Sequence, residues 1–135
     1  MDNRGFNVLK IGENGYSMPK AYTTHGFYRI QFGSDITDIP DEIFANNKIL
    51  QIVELTNNIK TIGASAFGGC TKIEAIYLST NESQYEAVLK NNIGNYNKCF
   101  TDNVKFYSET QPTENLENYW HYDSDGVTPV IWSAE

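Results

Sequence analysis

Phe27-Tyr-Arg-Ile-Gln-Phe32, Leu50-Gln-Ile-Val-Glu-Leu55 and Ile73-Glu-Ala-Ile-Tyr-Leu78 are one apolar pattern written three times, each start 23 residues after the last. The match runs past these openings: Ile36, Ile39 and Phe44 recur as Ile59, Ile62 and Phe67 at the same spacing. A fixed period of this length marks a solenoid, whose units bury their apolar faces only by stacking on one another. At the end of each opening, apolar residues alternate with period 2 (Val53 and Leu55, for example), as a strand with one buried face requires. A polar turn follows at Thr56-Asn-Asn58, then a second short apolar pair, Ile59 and Ile62. The unit closes on Ala64-Ser-Ala-Phe-Gly-Gly-Cys70, where Phe67 is expected to plug the centre and the glycines to permit a tight return. Asp41-Glu-Ile-Phe-Ala-Asn-Asn47 holds the same place one coil earlier.

On the N-terminal side, Phe6, Val8, Leu9 and Ile11 form a short apolar stretch ended by the turn signal Gly12-Glu-Asn-Gly15. Tyr16, Met18 and Tyr22 continue in extended style, with Pro19 at an edge or bend. The expected element is a β-hairpin over residues 1–26 that covers the open end of the first coil, since a bare solenoid end exposes unpaired backbone. On the other side the period fails after Leu78. Residues 83–92 read as a helix, with Tyr85, Val88 and Leu89 on one face, Ser83 as cap and Glu86 completing a capping box. Val104 and Phe106 then repeat Ile76 and Leu78 at an offset of 28, which makes them the last coil of a solenoid spanning residues 27–108. Residues 109–118 are polar and carry Pro112, hence a linker. Tyr119-Trp-His-Tyr122, Asp123-Ser-Asp-Gly126 and Thr128-Pro-Val-Ile-Trp132 read as strand, turn and strand, a terminal β-hairpin.

The unit Ile59-x-x-Ile-Gly-x-x-Ala-Phe-Gly-Gly-Cys-x-x-Ile73-x-x-Ile-x-Leu78 resembles the BspA-type leucine-rich repeat, through Ile62-Gly63, Ala66-Phe67 and Gly69-Cys70. The earlier coil has Ile39-Pro40 and Asn46-Asn47 at the corresponding dipeptides. The resemblance implies an α/β, mostly β, fold: a short right-handed leucine-rich-repeat solenoid with an N-terminal β cap and a C-terminal cap of helix plus β-hairpin. It also implies a non-enzymatic module that works through protein contacts, often adhesive and on bacterial surfaces. The expected cofactor set is empty, and no catalytic residue is carried over.

Composition narrows the function classes. Hydrophobic content of 40% over 135 residues suits one folded unit with a real core. A formal net charge of −7, from 10 basic and 17 acidic residues, repels phosphate backbones and anionic membranes. No segment is apolar enough to span a membrane, and the N-terminus lacks a signal-peptide run. Cytoplasmic or virion residence is therefore expected unless the chain is a piece of an exported surface protein. Cys70 and Cys99 form no metal motif, and free cysteine packs as a small hydrophobe. His25 and His121 lie in opposite end segments, away in sequence from either cysteine, so no nucleophilic set is written. Asp35, Asp38, Asp41 and Glu42 cluster on one turn and read as a solvated turn before a cation site. Asp123-x-Asp-Gly126 opens like a calcium loop, but the twelfth position is Ala134, so a hairpin turn explains it better.

What remains is a recognition face. Residues pointing away from the core on each opening strand are Arg29 and Gln31; Ile52, Glu54 and Thr56; Tyr77 and Ser79; and Lys105 and Tyr107. Stacking sets Gln31, Glu54, Tyr77 and Lys105 in one row. Trp120, Tyr122 and Trp132 add aromatic area of the kind that binding surfaces favour. Four strands about 4.8 Å apart give a face of only a few hundred Å², against roughly 800 Å² per partner in a standard interface. Either the end segments contribute or several copies assemble, as in a homo-oligomer or a multi-copy bacteriophage virion. The expected partner is a protein, with a surface glycan as a further candidate on the C-terminal aromatics. Phe67→Ala is expected to cost about 3–5 kcal/mol as a core truncation, and Tyr77→Ala to leave stability within about a kcal/mol.

Overall fold

A computed structural model describes residues 8–13, 18 and 26–133. Among the described residues nine strands appear in chain order: β1 (Val8–Ile11), β2 (Arg29–Phe32), β3 (Asp38–Ile39), β4 (Ile52–Leu55), β5 (Thr61–Ile62), β6 (Ala75–Leu78), β7 (Val104–Tyr107), β8 (Tyr119–Tyr122) and β9 (Pro129–Ile131). Seven of them form one curled sheet in the order β1-β2-β4-β6-β7-β8-β9, while β3 and β5 pair as a second, two-stranded sheet. The 23-residue period becomes backbone register: Ile30 pairs beside Val53 and Val53 beside Ile76, all three fully buried. The offset of 28 is also realised, with Ile76 beside Val104 and Leu78 beside Phe106.

The sheet is wider than the period alone suggests. β1 lies parallel to β2, with Leu9 beside Ile30 and Ile11 beside Phe32, so it continues the array as one more strand. The second arm of the expected N-terminal hairpin, residues 16–22, lies outside the described residues apart from Met18, which packs against the core. At the other end β8 joins β7 in parallel and β9 turns back antiparallel on β8, Trp120 facing Ile131. The terminal hairpin is thus an extension of the main sheet.

Inside the curl, a file of rings does the filling. Phe32, Phe44, Phe67 and Phe100 follow one another with centroids 5.9, 5.1 and 5.8 Å apart. Phe44 and Phe67 are the predicted plugs; Phe100 comes from α2 (Cys99–Asp102), a single turn that the sequence pattern does not announce. The corners repeat as well: Glu42 and Ser65 are left-handed at φ 60° and 56°, as are Asn46 and Gly69 at 60° and 74°. Gly63 shows why the repeat carries an Ile-Gly dipeptide. A Cβ there would sit 2.4 Å from the Asp41 backbone nitrogen and 2.6 Å from the Pro40 carbonyl carbon, so only glycine lets the two coils touch.

The helical segment is shorter than expected. α1 covers Glu82–Ala87, and a 3-10 turn follows over Leu89–Asn92. Its cap is Asn81, whose side-chain oxygen accepts from the Gln84 backbone N–H at 2.9 Å; Ser83 lies inside the first turn and does not cap. Tyr85 and Leu89 are buried as predicted, but Val88 faces solvent at 40% exposure. The polar stretch before the hairpin holds a 3-10 turn at Leu116–Asn118.

Candidate functional site

The strands that bury Ile30, Val53, Ile76 and Phe106 on one side must present the alternate residues on the other. Register sets Gln31 beside Glu54, Glu54 beside Tyr77 and Tyr77 beside Lys105, the row expected from stacking. Lys10 on β1 extends that row next to Gln31. Sequence reasoning missed Lys10 because β1 sits 21 residues before β2, off the main period; the alternation of Leu9 and Ile11 was its only signal.

This face is not an open plain. Ile52, Ala75, Tyr77 and Trp120 form a second buried cluster on it, with Ile131 packed alongside. Ile52 is 4%, Tyr77 6% and Trp120 2% exposed, which corrects the expectation that the whole outward row meets solvent. The cause is the hairpin. Trp120 is carried over the face by the curl of β8, meets Tyr77 edge-on at 5.4 Å, and donates its indole N–H to the Leu78 carbonyl at 2.9 Å. A tryptophan that buries both its ring and its N–H in this way is anchored, which leaves its neighbours to face outward. Tyr107 and Tyr122 do so, at 37% and 43% exposure, with centroids 5.0 Å from Trp120 in each case.

Charge on the face is paired and covered. Both Arg29 and Glu54 are largely buried, and they form a forked ion pair: Nε to Oε2, and Nη2 to Oε1 at 3.1 Å. Gln31 donates from Nε2 to Glu54 Oε1 at 3.2 Å, and Arg29 Nη2 also reaches the Val127 carbonyl at 3.3 Å. That last bond ties the hairpin tip to the second strand of the sheet. Burial pushes the Tyr122 hydroxyl above its ordinary range, and the nearby Glu54 carboxylate pushes the same way.

Between the first strand and the aromatic hairpin the face dips into a cleft of about 290 Å³. Seven expected recognition residues line it: Gln31, Glu54, Thr56, Tyr77, Ser79, Trp120 and Tyr122. Lys10 and Glu13 complete the wall from the β1 side. Lys105 and Tyr107 lie outside that lining on the same face, as do Arg29 and Ile52, which the hairpin covers. Trp132 is set apart. It stacks on His121 at 3.7 Å and donates its indole N–H to the Ser108 carbonyl, on the opposite side of the hairpin from Trp120.

A family profile described as BspA type leucine rich repeat region (6 copies) matches residues 9–119, from β1 into β8. The chain belongs to the BspA-type leucine-rich repeat family. Searches of the curated proteins and of the solved structures return no match. Leucine-rich repeats of this kind are in general protein-interaction modules without enzymatic activity.

Asp35, Asp38 and Asp41, among the remaining acidic candidates of this BspA-type chain, are held by hydrogen bonds to its own backbone and hydroxyl groups. Asp35 accepts from the Glu13 N–H at 3.0 Å and Asp41 from the Ala64 N–H at 2.9 Å, while Asp38 takes the Thr61 and Thr37 hydroxyls. The hydrogen bonds from Thr61 and then Thr37 hold the Asp38 carboxyl below its usual range. Asp125 likewise accepts from the backbone N–H groups of Val127 and Thr128, each at 2.9 Å, and so folds the hairpin turn. Among the described residues no group of three His, Cys, Asp or Glu is placed to hold a metal ion. Cys70 and Cys99 are free and buried, and burial pushes the Cys99 thiol up to about 12. No helix among the described residues is long and apolar enough to cross a membrane.

Proposed function

We propose that this leucine-rich-repeat chain is a non-enzymatic recognition module of adhesive type, which engages a protein partner through the outer face of its sheet. The observation that carries the reading is the exposed strip of Tyr107 and Tyr122 on a buried Trp120 base, with Val127 also exposed at the hairpin tip. Exposed rings held rigid by a packed neighbour give contact area at low entropic cost, the composition of interface hot spots. Lys105, next in the row, supplies a polar rim contact. Seven strands about 4.8 Å apart, the hairpin's two included, span roughly 30 Å, so the sheet is wider than four strands allow.

Panning a displayed random-peptide library on the immobilised protein tests this. The expected outcome is enrichment of peptides whose binding falls at least tenfold on Tyr107→Ala, a loss of about 1.4 kcal/mol. Peptides indifferent to Tyr107→Ala and Lys105→Ala, or no enrichment over a blank surface, would overturn the reading.

A further inference from the structure

The cleft beside Glu54 differs in kind from the exposed strip. At about 290 Å³ it lies at the lower end of the roughly 300–1,000 Å³ range of small-molecule sites, too small for a folded segment. Its charges balance: Lys10 is matched by Glu13 in the wall, and Glu54 by the guanidinium it binds. An ionic ligand therefore gains little net attraction. What the cleft does hold is unspent hydrogen-bonding capacity. An ionised carboxylate offers about four lone-pair positions. Glu54 spends three, on Arg29 Nε, Arg29 Nη2 and Gln31 Nε2. The Gln31 side-chain oxygen and the Ser79 hydroxyl take part in no hydrogen bond among the described residues, and the Thr56 hydroxyl accepts from Asn58 N–H while keeping its own proton to donate. The same lining carries the exposed ring of Tyr122, with Trp120 packed beside it.

A ligand matching both halves is uncharged, carries adjacent hydroxyls along one edge and presents C–H groups on a flat face. We propose that this cleft binds a neutral sugar residue, its hydroxyl edge on Glu54, Gln31 and Ser79 and its C–H face against Tyr122. The Arg29 fork and the Gln31 amide fix the Glu54 carboxylate in advance, so little ordering cost falls on the protein. This ligand is of a second class, beyond the protein-contact reading and independent of it.

The test titrates the full chain with methyl glycosides of glucose, galactose, mannose and N-acetylglucosamine, followed by amide NMR shifts and tryptophan fluorescence. Saturable binding of at least one glycoside is expected, weakened at least tenfold by Gln31→Ala and by Tyr122→Ala. A deoxy analogue lacking the contacted hydroxyl should bind more weakly still, because Glu54 is then left short of a donor. Ser79→Ala, a substitution at an exposed position, serves as a second variant if Tyr122→Ala does not fold. No saturable shift with any glycoside, or binding undiminished in all folded variants, overturns the assignment. Peptide enrichment that depends on Tyr107 while every glycoside fails would overturn this assignment alone; glycoside binding without such enrichment would sustain it and overturn the protein reading.

Discussion

At Tyr77 the side chain's fate is decided by a residue 43 positions away, Trp120, and this changes what truncation costs. Phe67→Ala removes the middle of the phenylalanine file and should cost about 3–5 kcal/mol. Tyr77→Ala now belongs in the same class, with an expected loss of about 2–5 kcal/mol in urea denaturation, because it leaves a void under Trp120. A loss at Tyr77 of less than about a kcal/mol would mean that the hairpin does not cover the face in solution. The pattern of Phe44 and Phe67 was legible in the sequence because identical units stack identical residues. Tyr77 was not, since its cover comes from β8, outside the period. Strand alternation says which way a residue points, and says nothing of what returns to meet it.

Among the elements, α1 is the one whose ends decide its length. Asn81→Ala removes the side-chain acceptor for Gln84 N–H and should cost about 1 kcal/mol, whereas Ser83→Ala should change thermal stability by no more than a few tenths. Equal effects at the two positions would mean that Asn81 does not cap the helix. The capping-box spacing from Ser83 to Glu86 pointed to Ser83, and only the backbone geometry puts the cap at Asn81, two residues earlier. The strands divide the same way. β2, β4 and β6 follow from the period, and β7 from its offset of 28. β1 and β8 have offsets of 21 and 13 to their neighbours, because the loops they close differ in length, so periodicity could not assign them to the sheet. The cleft inherits that gap. Its floor was readable from the row through Gln31, Glu54 and Tyr77, but its walls come from β1 and β8.

Across the whole molecule, burial of weak acids makes stability depend on pH at the alkaline end. Burial raises Cys99 to about 12, with the Cys70 thiolate charge adding to it, and burial also raises Cys70, Tyr85 and Tyr122. The folded chain keeps these protons at pH values where the unfolded chain has released them. Stability is therefore complete below the ordinary thiol range and falls as pH climbs from about 9 toward about 12. Urea midpoints should decline over that window, and Cys99→Ala should flatten the decline; a level profile in the parent chain would contradict the burial of these groups. The bond from Arg29 to the Val127 carbonyl has a consequence of another kind, because it joins residues 98 apart across strands that are not neighbours in the sheet. A repeat array is ordinarily held together by contacts between adjacent coils alone. Here one bond works as a latch, coupling the hairpin tip to a coil that it does not adjoin in the sheet.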